Sequence, residues 1–433
     1  MQEKKSQGYQ YMHNYLFPET LKKNGNNWEI GRIPISELAK KYETPLYVLD
    51  KKTLLTQARK YMNSWRTYWD NFKVLYAIKA LPVMEVIRIF SNEGLGALVS
   101  TGGELFIALK SGVDPNRIYF HGNAKSLKEI EYAIDANIYA LIVDNLDEIE
   151  KIKYITYKKD KKVNILVRII PNIEANTHSS IRTGQMDTKF GLPIPTALNL
   201  IESLKEEKHI VFKGIHSHIG SQIFDLSAYT RLAKTLSDVS KEVLKTGVNI
   251  EEISIGGGLG IAYTYDDIPP KIEDLAKEVS EVFKNEMPIK FTLICEPGRS
   301  LVGRAGITIY EVESRKVLPI NKYVSVNGGM SDNPRPVLYG AKYTAIFLNN
   351  GNSQVYNLAG KHCESGDILI RNLEGPWPNV GDLVFTLATG AYNFSMFNWY
   401  NAVLRPAVVM VDEGKDYLVV KRDTFEDLLR GQL

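Results

Sequence analysis

The sequence predicts an α/β plus β fold: an eight-stranded parallel (β/α) TIM-type barrel with a separate, mostly antiparallel β domain. Eight short β-like runs follow one another between residues 72 and 298, helix-length amphipathic stretches separate them, and the texture changes after about residue 305. Each parallel crossover needs a helix, so eight consecutive βα units are what a closed barrel requires. An open doubly wound sheet also fits the alternation; the count of eight favours the barrel.

The runs are Phe72–Lys79, Gly96–Thr101, Ile118–Gly122, Ala140–Asp144, Asn164–Ile170, Val211–His218, Glu252–Gly257 and Phe291–Glu296. All are short, apolar and rich in β-branched or aromatic residues. Helical patterns fill the intervals: Pro82–Asn92, Gly103–Ser111, Leu127–Ile134, Leu146–Tyr157, Pro195–Glu207, Tyr229–Thr246 and Ile272–Asn285. Beyond residue 305, Gly306–Glu313, Tyr323–Val326, Gln354–Ala359, Ile368–Arg371, Leu383–Thr386 and Tyr417–Lys421 alternate with Gly, Pro and Asn turns, the pattern of an antiparallel domain. Pro45–Asp50 reads as a strand ahead of the first barrel helix. The expected division is therefore an N-terminal segment, 1–50, contributing to the β domain, a barrel over 51–304, and a C-terminal β domain over 305–433. No internal repeat, low-complexity tract or long linker interrupts this order.

The bulk properties agree with two domains and narrow the function. At 433 residues the chain exceeds the usual single-domain ceiling of about 250–300. Its composition, 44% hydrophobic and 24% charged, is that of a soluble globular protein. A net charge of +3 argues against a nucleic-acid or membrane partner. No apolar run approaches the ~18 residues of a membrane span, and Met1–Gln7 lacks the apolar core of a signal peptide. Two cysteines, Cys295 and Cys363, are too few for a disulfide framework and fit a reducing cytoplasm.

Chemistry collects at the carboxyl ends of the proposed barrel strands, the face that carries active sites in this architecture. Lys79 closes the first run. A lone lysine there either snorkels to the surface or holds its amine at a low-dielectric rim, where it becomes a nucleophile able to form a Schiff base. The residues further along the chain decide for the second reading. Gly256-Gly257-Gly258-Leu259-Gly260 follows the seventh run, and its backbone N–H groups can approach a phosphate; a tight turn is the alternative. Glu296-Pro297-Gly298-Arg299 follows the eighth, a rigid turn suited to a phosphate or carboxylate contact, or else a surface Glu/Arg pair. His216 and His218 share one side of the sixth run by alternation. No carboxylate or thiolate lies nearby in sequence to complete a metal set, so an imidazole stacked on an aromatic cofactor reads better than a ligand. Core histidines bonded to backbone are the alternative. In the C-terminal region, Cys363-Glu364-Ser365-Gly366-Asp367 sets a thiol beside a carboxylate, while Arg335-Pro336-Val337-Leu338-Tyr339 and Gly390-Ala391-Tyr392 add a guanidinium and two phenols. Arginine is the side chain suited to bidentate carboxylate recognition, and a thiol serves as an acid as well as a nucleophile.

Taken together, these blocks resemble the diaminopimelate decarboxylases, pyridoxal-phosphate enzymes with an alanine-racemase-like barrel. Tyr76-Ala77-Ile78-Lys79-Ala80, His121-Gly122-Asn123-Ala124-Lys125-Ser126, Lys189-Phe190-Gly191, His218-Ile219-Gly220-Ser221-Gln222 and the segments above run in family order from about residue 45 to 406. The resemblance implies pyridoxal 5'-phosphate as cofactor and decarboxylation of meso-2,6-diaminopimelate to L-lysine. It makes Lys79 the Schiff-base lysine, Glu296 the partner of the pyridine nitrogen and His218 the stacking ring. It gives the phosphate to Ser221, Gly258, Gly298, Arg299 and Tyr392, and the substrate to Arg299, Arg335, Tyr339, Glu364 and Tyr392. Cys363 would protonate the carbanion. In that family the Cys363–Glu364 segment reaches the other subunit's site, which implies a homodimer with shared active sites.

Four departures stand out. Leu98 occupies a usual aspartate, Thr101 a usual serine, Asn327 another aspartate, and Phe397-Asn398-Trp399 replaces smaller residues. A relative acting on ornithine, arginine or carboxynorspermidine is the runner-up, but Arg335 and Tyr339 suit a second carboxylate better than a distal ammonium. A racemase is disfavoured by the Cys363–Glu364 block. A catalytically dead binding protein is disfavoured by Lys79, Glu296 and Cys363 occurring together.

Overall fold

The computed structural model describes residues 15–25, 27–173 and 189–433; Met1–Gln7, read above as lacking an apolar core, lies outside them. The chain divides into two compact units. One comprises residues 57–260 and 270–300, the other residues up to 56 together with 261–269 and 301–433.

The second unit begins with three short antiparallel strands, β1 (Lys22–Asn24), β2 (Asn27–Ile30) and β3 (Ile33–Pro34), which the sequence reading did not find. Strand β4 (Leu46–Asp50) follows, with all five residues buried. The first unit then supplies eight parallel strands: β5 (Phe72–Ala77), β6 (Gly96–Val99), β7 (Ile118–Phe120), β8 (Ala140–Val143), β9 (Val163–Arg168), β10 (Ile210–His216), β11 (Glu252–Ser254) and β12 (Thr292–Cys295). They close into a barrel in which β12 pairs with β5 and β9 with β10. Helices alternate with the strands as the periodicity predicts, for example Leu127–Asp135 and Ser227–Lys245. Inside the barrel the period of two selects Leu75, Ala77, Leu98, Tyr119, Ala140, Ile142, Leu166 and Ile294 as a packed interior.

The remaining strands build a nine-stranded sheet with β4: β13 (Gly306–Val317), β14 (Lys322–Val326), β15 (Ala345–Phe347), β16 (Ser353–Ala359), β17 (Ile368–Pro376), β18 (Leu383–Thr386), β19 (Ala407–Asp412) and β20 (Lys415–Val420). Most pairs are antiparallel, but β14 with β16 and β4 with β19 are parallel. Strand β4 lies between β13 and β19, so the amino-terminal segment sits inside this sheet. Its apolar face packs with Ile307, Ile309, Phe385 and Val409. Among the described residues no helix is long and apolar enough to cross a membrane.

Candidate active site

Four strands adjacent around the barrel, in the order β10, β11, β12, β5, present the sequence-derived barrel residues at their carboxyl ends. Lys79 is not on its strand. Strand β5 stops at Ala77, and Lys79 lies in a single 3-10 turn, Ile78–Ala80, closed by Leu81 N–H donating to Ile78 O at 3.0 Å. Strand β12 pairs with β5 only as far as Cys295, opposite Val74, and beyond it Ala77 N–H donates to Pro297 O at 3.0 Å. That bond ties the lysine turn to the Glu296–Arg299 turn. Gly298 is packed there so closely that a Cβ would stand 3.2 Å from both Ala77 Cβ and Ala80 Cβ.

Glu296 follows β12 and is 4% exposed. Ser254 Oγ donates to its Oε1 at 2.7 Å, and His216 Nε2 donates to its Oε2 at 3.0 Å. Burial alone raises the carboxyl, but the His216 ring, Ser254 and the Arg168 charge outweigh it and hold Glu296 below the usual carboxylate range. Each oxygen keeps a further lone pair for a donor. His218 stands two residues beyond β10, and its Nδ1 accepts from Gly257 N–H at 3.3 Å, so the neutral ring carries its proton on Nε2. Packing around the ring, then the Lys79, Arg168 and His216 charges, push His218 well below the ordinary imidazole value. His121 is pushed down by the same combination.

The glycine run is a close-approach device. A Cβ on Gly257 would lie 2.1 Å from Glu296 O, and Gly258, at φ +107°, would meet Gly220 O at 2.3 Å. Ile223 N–H donates to Gly258 O at 3.0 Å, which brings the loop carrying Ser221 alongside. Arg299 donates to Ser221 Oγ from Nε at 3.2 Å and from Nη2 at 2.9 Å. A hydroxyl, a guanidinium and bare backbone thus converge, the donor set of a phosphate site. An amine, an ionised carboxylate with lone pairs to spare, a neutral flat ring and this donor set fit pyridoxal phosphate.

The other predicted residues lie in the β unit, in two places. Arg335 opens a short helix, Arg335–Tyr339, with its guanidinium 4.6 Å above the Tyr263 ring and donating to Tyr343 Oη. Tyr343 Oη in turn donates to Asn393 Oδ1 at 3.2 Å, next to Tyr392, which has φ +61°. Tyr339 ends the same helix. Cys363 and Glu364 are exposed on a separate turn, with Cys363 N–H donating to Asn401 Oδ1 at 2.8 Å. Cys363 and Cys295 are free thiols, the latter buried.

The departures have physical accounts. Leu98 is 3% exposed in the barrel interior. Thr101 keeps the hydroxyl that caps the helix Gly102–Lys110. Asn327 uses both ends of its amide, donating to Thr44 Oγ1 at 2.7 Å and accepting from Glu311 N–H at 3.1 Å. Asn398 donates from its backbone to Ser331 O and from Nδ2 to Met330 O. Sequence reasoning missed Arg168, Ser254 and Tyr343. Arg168 is 3% exposed, 3.4 Å from Asp144 and 4.6 Å over the Phe190 ring. A lone cation ending an apolar strand is the signal that singled out Lys79, and Arg168 carries it too.

A family model described as the pyridoxal-binding domain of pyridoxal-dependent decarboxylases matches residues 55–303, and the chain belongs to that family of carboxy-lyases. Within it, the diaminopimelate decarboxylase of Synechocystis sp. is 41% identical over 435 residues, spanning 96% of this chain and 92% of its own. That of Bacillus subtilis is 39% identical over 419 residues, spanning 94% and 95%. Among solved structures, the diaminopimelate decarboxylase of M. jannaschii in complex with L-lysine matches with a TM-score of 0.92 at 34% identity, over 96% of this chain and 98% of that one. The lysine/ornithine decarboxylase of Vibrio vulnificus complexed with putrescine matches at 0.77 and 26%, over 88% and 97%.

Proposed function

We propose that this protein converts meso-2,6-diaminopimelate to L-lysine and carbon dioxide, the last step of lysine biosynthesis, using pyridoxal 5'-phosphate. The observation that carries the substrate is near full-length identity of 37–42% to diaminopimelate decarboxylases from several organisms, together with a TM-score of 0.92 to the M. jannaschii enzyme against 0.77 to the lysine/ornithine enzyme. The buried Arg335 guanidinium supports it, because a substrate ending in a second carboxylate needs a cation and one ending in an ammonium does not.

In this reading Lys79 Nζ would hold the cofactor, and Glu296, kept ionised by His216 and Ser254, would hold a proton at the pyridine nitrogen. The neutral His218 ring would lie against the cofactor. Ser221, Gly258, Gly298 and Arg299 bind its phosphate, with Tyr392 as a further contact. Arg299, Arg335, Tyr339, Glu364 and Tyr392 hold the substrate. The cofactor supplies the electron sink for the pair left when carbon dioxide departs. Cys363 then delivers its thiol proton to the α-carbon. Cys363 and Glu364 act in the partner subunit's site, so the working form is a homodimer, placed in the cytoplasm.

The test is release of carbon dioxide from a panel of amino acids by the pyridoxal-phosphate-loaded enzyme. Diaminopimelate is expected to exceed ornithine, lysine, arginine and carboxynorspermidine by at least about 10³ in kcat/KM, the discrimination of a site built around a buried polar group. Preference for any of the others overturns the substrate, and no release from any overturns the reading.

A further inference from the structure

Resting on the role given to Cys363 and Glu364, we propose that Asp367 and His362 are a positioning pair that fixes this turn and locks it to the loop leading into Arg335. Both side chains are buried: His362 is 8% exposed and Asp367 3%, while the intervening Cys363 and Glu364 are exposed. Asp367 Oδ2 accepts from the His362 backbone N–H at 3.0 Å and from its ring Nδ1 at 2.8 Å. The other oxygen, Oδ1, accepts from Met330 N–H at 2.7 Å, across in the neighbouring loop. One carboxylate therefore closes the turn on itself and pins it to the Gly328–Asn333 loop.

The backbone is arranged around this carboxylate. Asp367 N–H donates to Glu364 O at 3.0 Å, Gly360 N–H to Asp367 O at 2.9 Å, and Lys361 N–H to Gly328 O at 2.9 Å. A Cβ on Gly360 would stand 2.1 Å from Asp367 Oδ2, and one on Gly329, at φ +154°, 2.5 Å from it. Two glycines on two loops are bare where the carboxylate sits. The His362 ring lies parallel to Tyr400 at 6.0 Å, and Asn401, one residue on, receives the Cys363 N–H. His362 thus braces the same turn from its other side. Neither side chain need touch substrate; each sets where the thiol and carboxylate point.

A carboxylate that accepts on both oxygens cannot be replaced by an amide without turning an N–H₂ onto another donor. Asp367→Asn should then lower kcat about tenfold or more, while KM stays within about threefold and cofactor affinity within about twofold, as for a displaced acid. The solvent deuterium isotope effect on kcat should rise, because proton delivery becomes slower. His362→Leu should behave likewise, and His362→Asn, which places a donor where Nδ1 stands, should recover most of the loss. Unchanged kcat in folded Asp367→Asn or His362→Leu, or no difference between His362→Asn and His362→Leu, overturns the pairing. If Asp367→Asn does not fold, the two His362 variants decide the question alone. Cys363→Ala, measured alongside, separates the two ideas: full activity in that variant overturns the role of the thiol itself, whereas its loss with unaffected Asp367→Asn overturns only the positioning pair.

Discussion

Two buried glutamates mark the two ends of the barrel, and they are solvated in opposite ways. At the amino-terminal floor, Glu252 is 2% exposed and accepts from Lys73 Nζ at 2.5 Å, from Tyr119 Oη at 3.0 Å and from Tyr139 Oη at 2.8 Å. Lys73 also sits 3.9 Å above the Tyr139 ring. Burial, then the Glu252 charge, push the Tyr119 phenol far above its ordinary value, so it stays protonated, donating to Glu252 while it accepts from Lys73 Nζ at 2.8 Å. At the mouth, Glu296 is 4% exposed, but its partners are an imidazole and a hydroxyl, and the Nδ1 of that imidazole has no hydrogen-bond partner among the described residues. The floor carboxylate is charge-balanced by an ammonium and saturated by phenols. The mouth carboxylate has one partner on each oxygen and acceptor capacity in hand. Burial alone does not tell a saturated carboxylate from one with acceptor capacity to spare; the composition of its partners does.

The largest effect tests the mouth together with the proposed sharing of sites across a homodimer. Lys79→Ala and Cys363→Ala should each be nearly inactive, the first also losing any adduct that borohydride traps on residue 79. After verified subunit exchange, random pairing makes about half the dimers mixed, each with one intact site, so roughly a quarter of wild-type activity should return. No recovery would place both residues in one chain's site.

Exchanging the acids for amides separates floor from mouth. Glu296→Gln should lose about 10²- to 10⁴-fold in kcat with little change in melting temperature. Glu252→Gln should lose about 2–4 kcal/mol of stability, the cost of breaking a buried charge network, with kcat within about threefold. Similar profiles for the two variants would dissolve the contrast.

The smallest effect is a pH dependence. His218 is held below its ordinary pKa when folded, so the unfolded chain takes up a proton near pH 6.5 that the folded chain does not. Its contribution is present above that pH and is lost as pH falls below it. Between pH 7 and 5.5, denaturant unfolding of wild type should lose about 1 kcal/mol more stability than that of His218→Gln. Parallel curves would show an imidazole that protonates freely.

The barrel was legible because its signals are local: a strand of three to seven residues between amphipathic helices shows itself within one window. The β unit was less so. Ala407–Asp412 is an apolar run missed in the sequence, and its partner β4 lies at the far end of the chain, where no local pattern announces the pairing. The single turn at Ile78–Ala80 was read as strand because side-chain type cannot show where neighbouring strands run out. At the site, Lys79, Glu296 and His218 were readable as polar residues at strand ends. Ser254 was passed over since one hydroxyl in a three-residue strand carries little signal, and Tyr343 because its part depends on Arg335, eight positions earlier, folding back onto it.

The placement of β4 between β13 and β19 has a consequence for synthesis. Every barrel strand has been synthesised by residue 295, yet Leu46–Asp50, apolar and made before all of them, still waits for both flanking strands. The second of them comes from Ala407–Asp412, more than 350 residues further along the chain. A chain that terminates between residue 300 and that strand carries every barrel strand and an open strand edge, the kind of surface that templates aggregation. Completion of the β unit is therefore a late checkpoint on synthesis: only a chain extended past Asp412 can cover both edges of Leu46–Asp50.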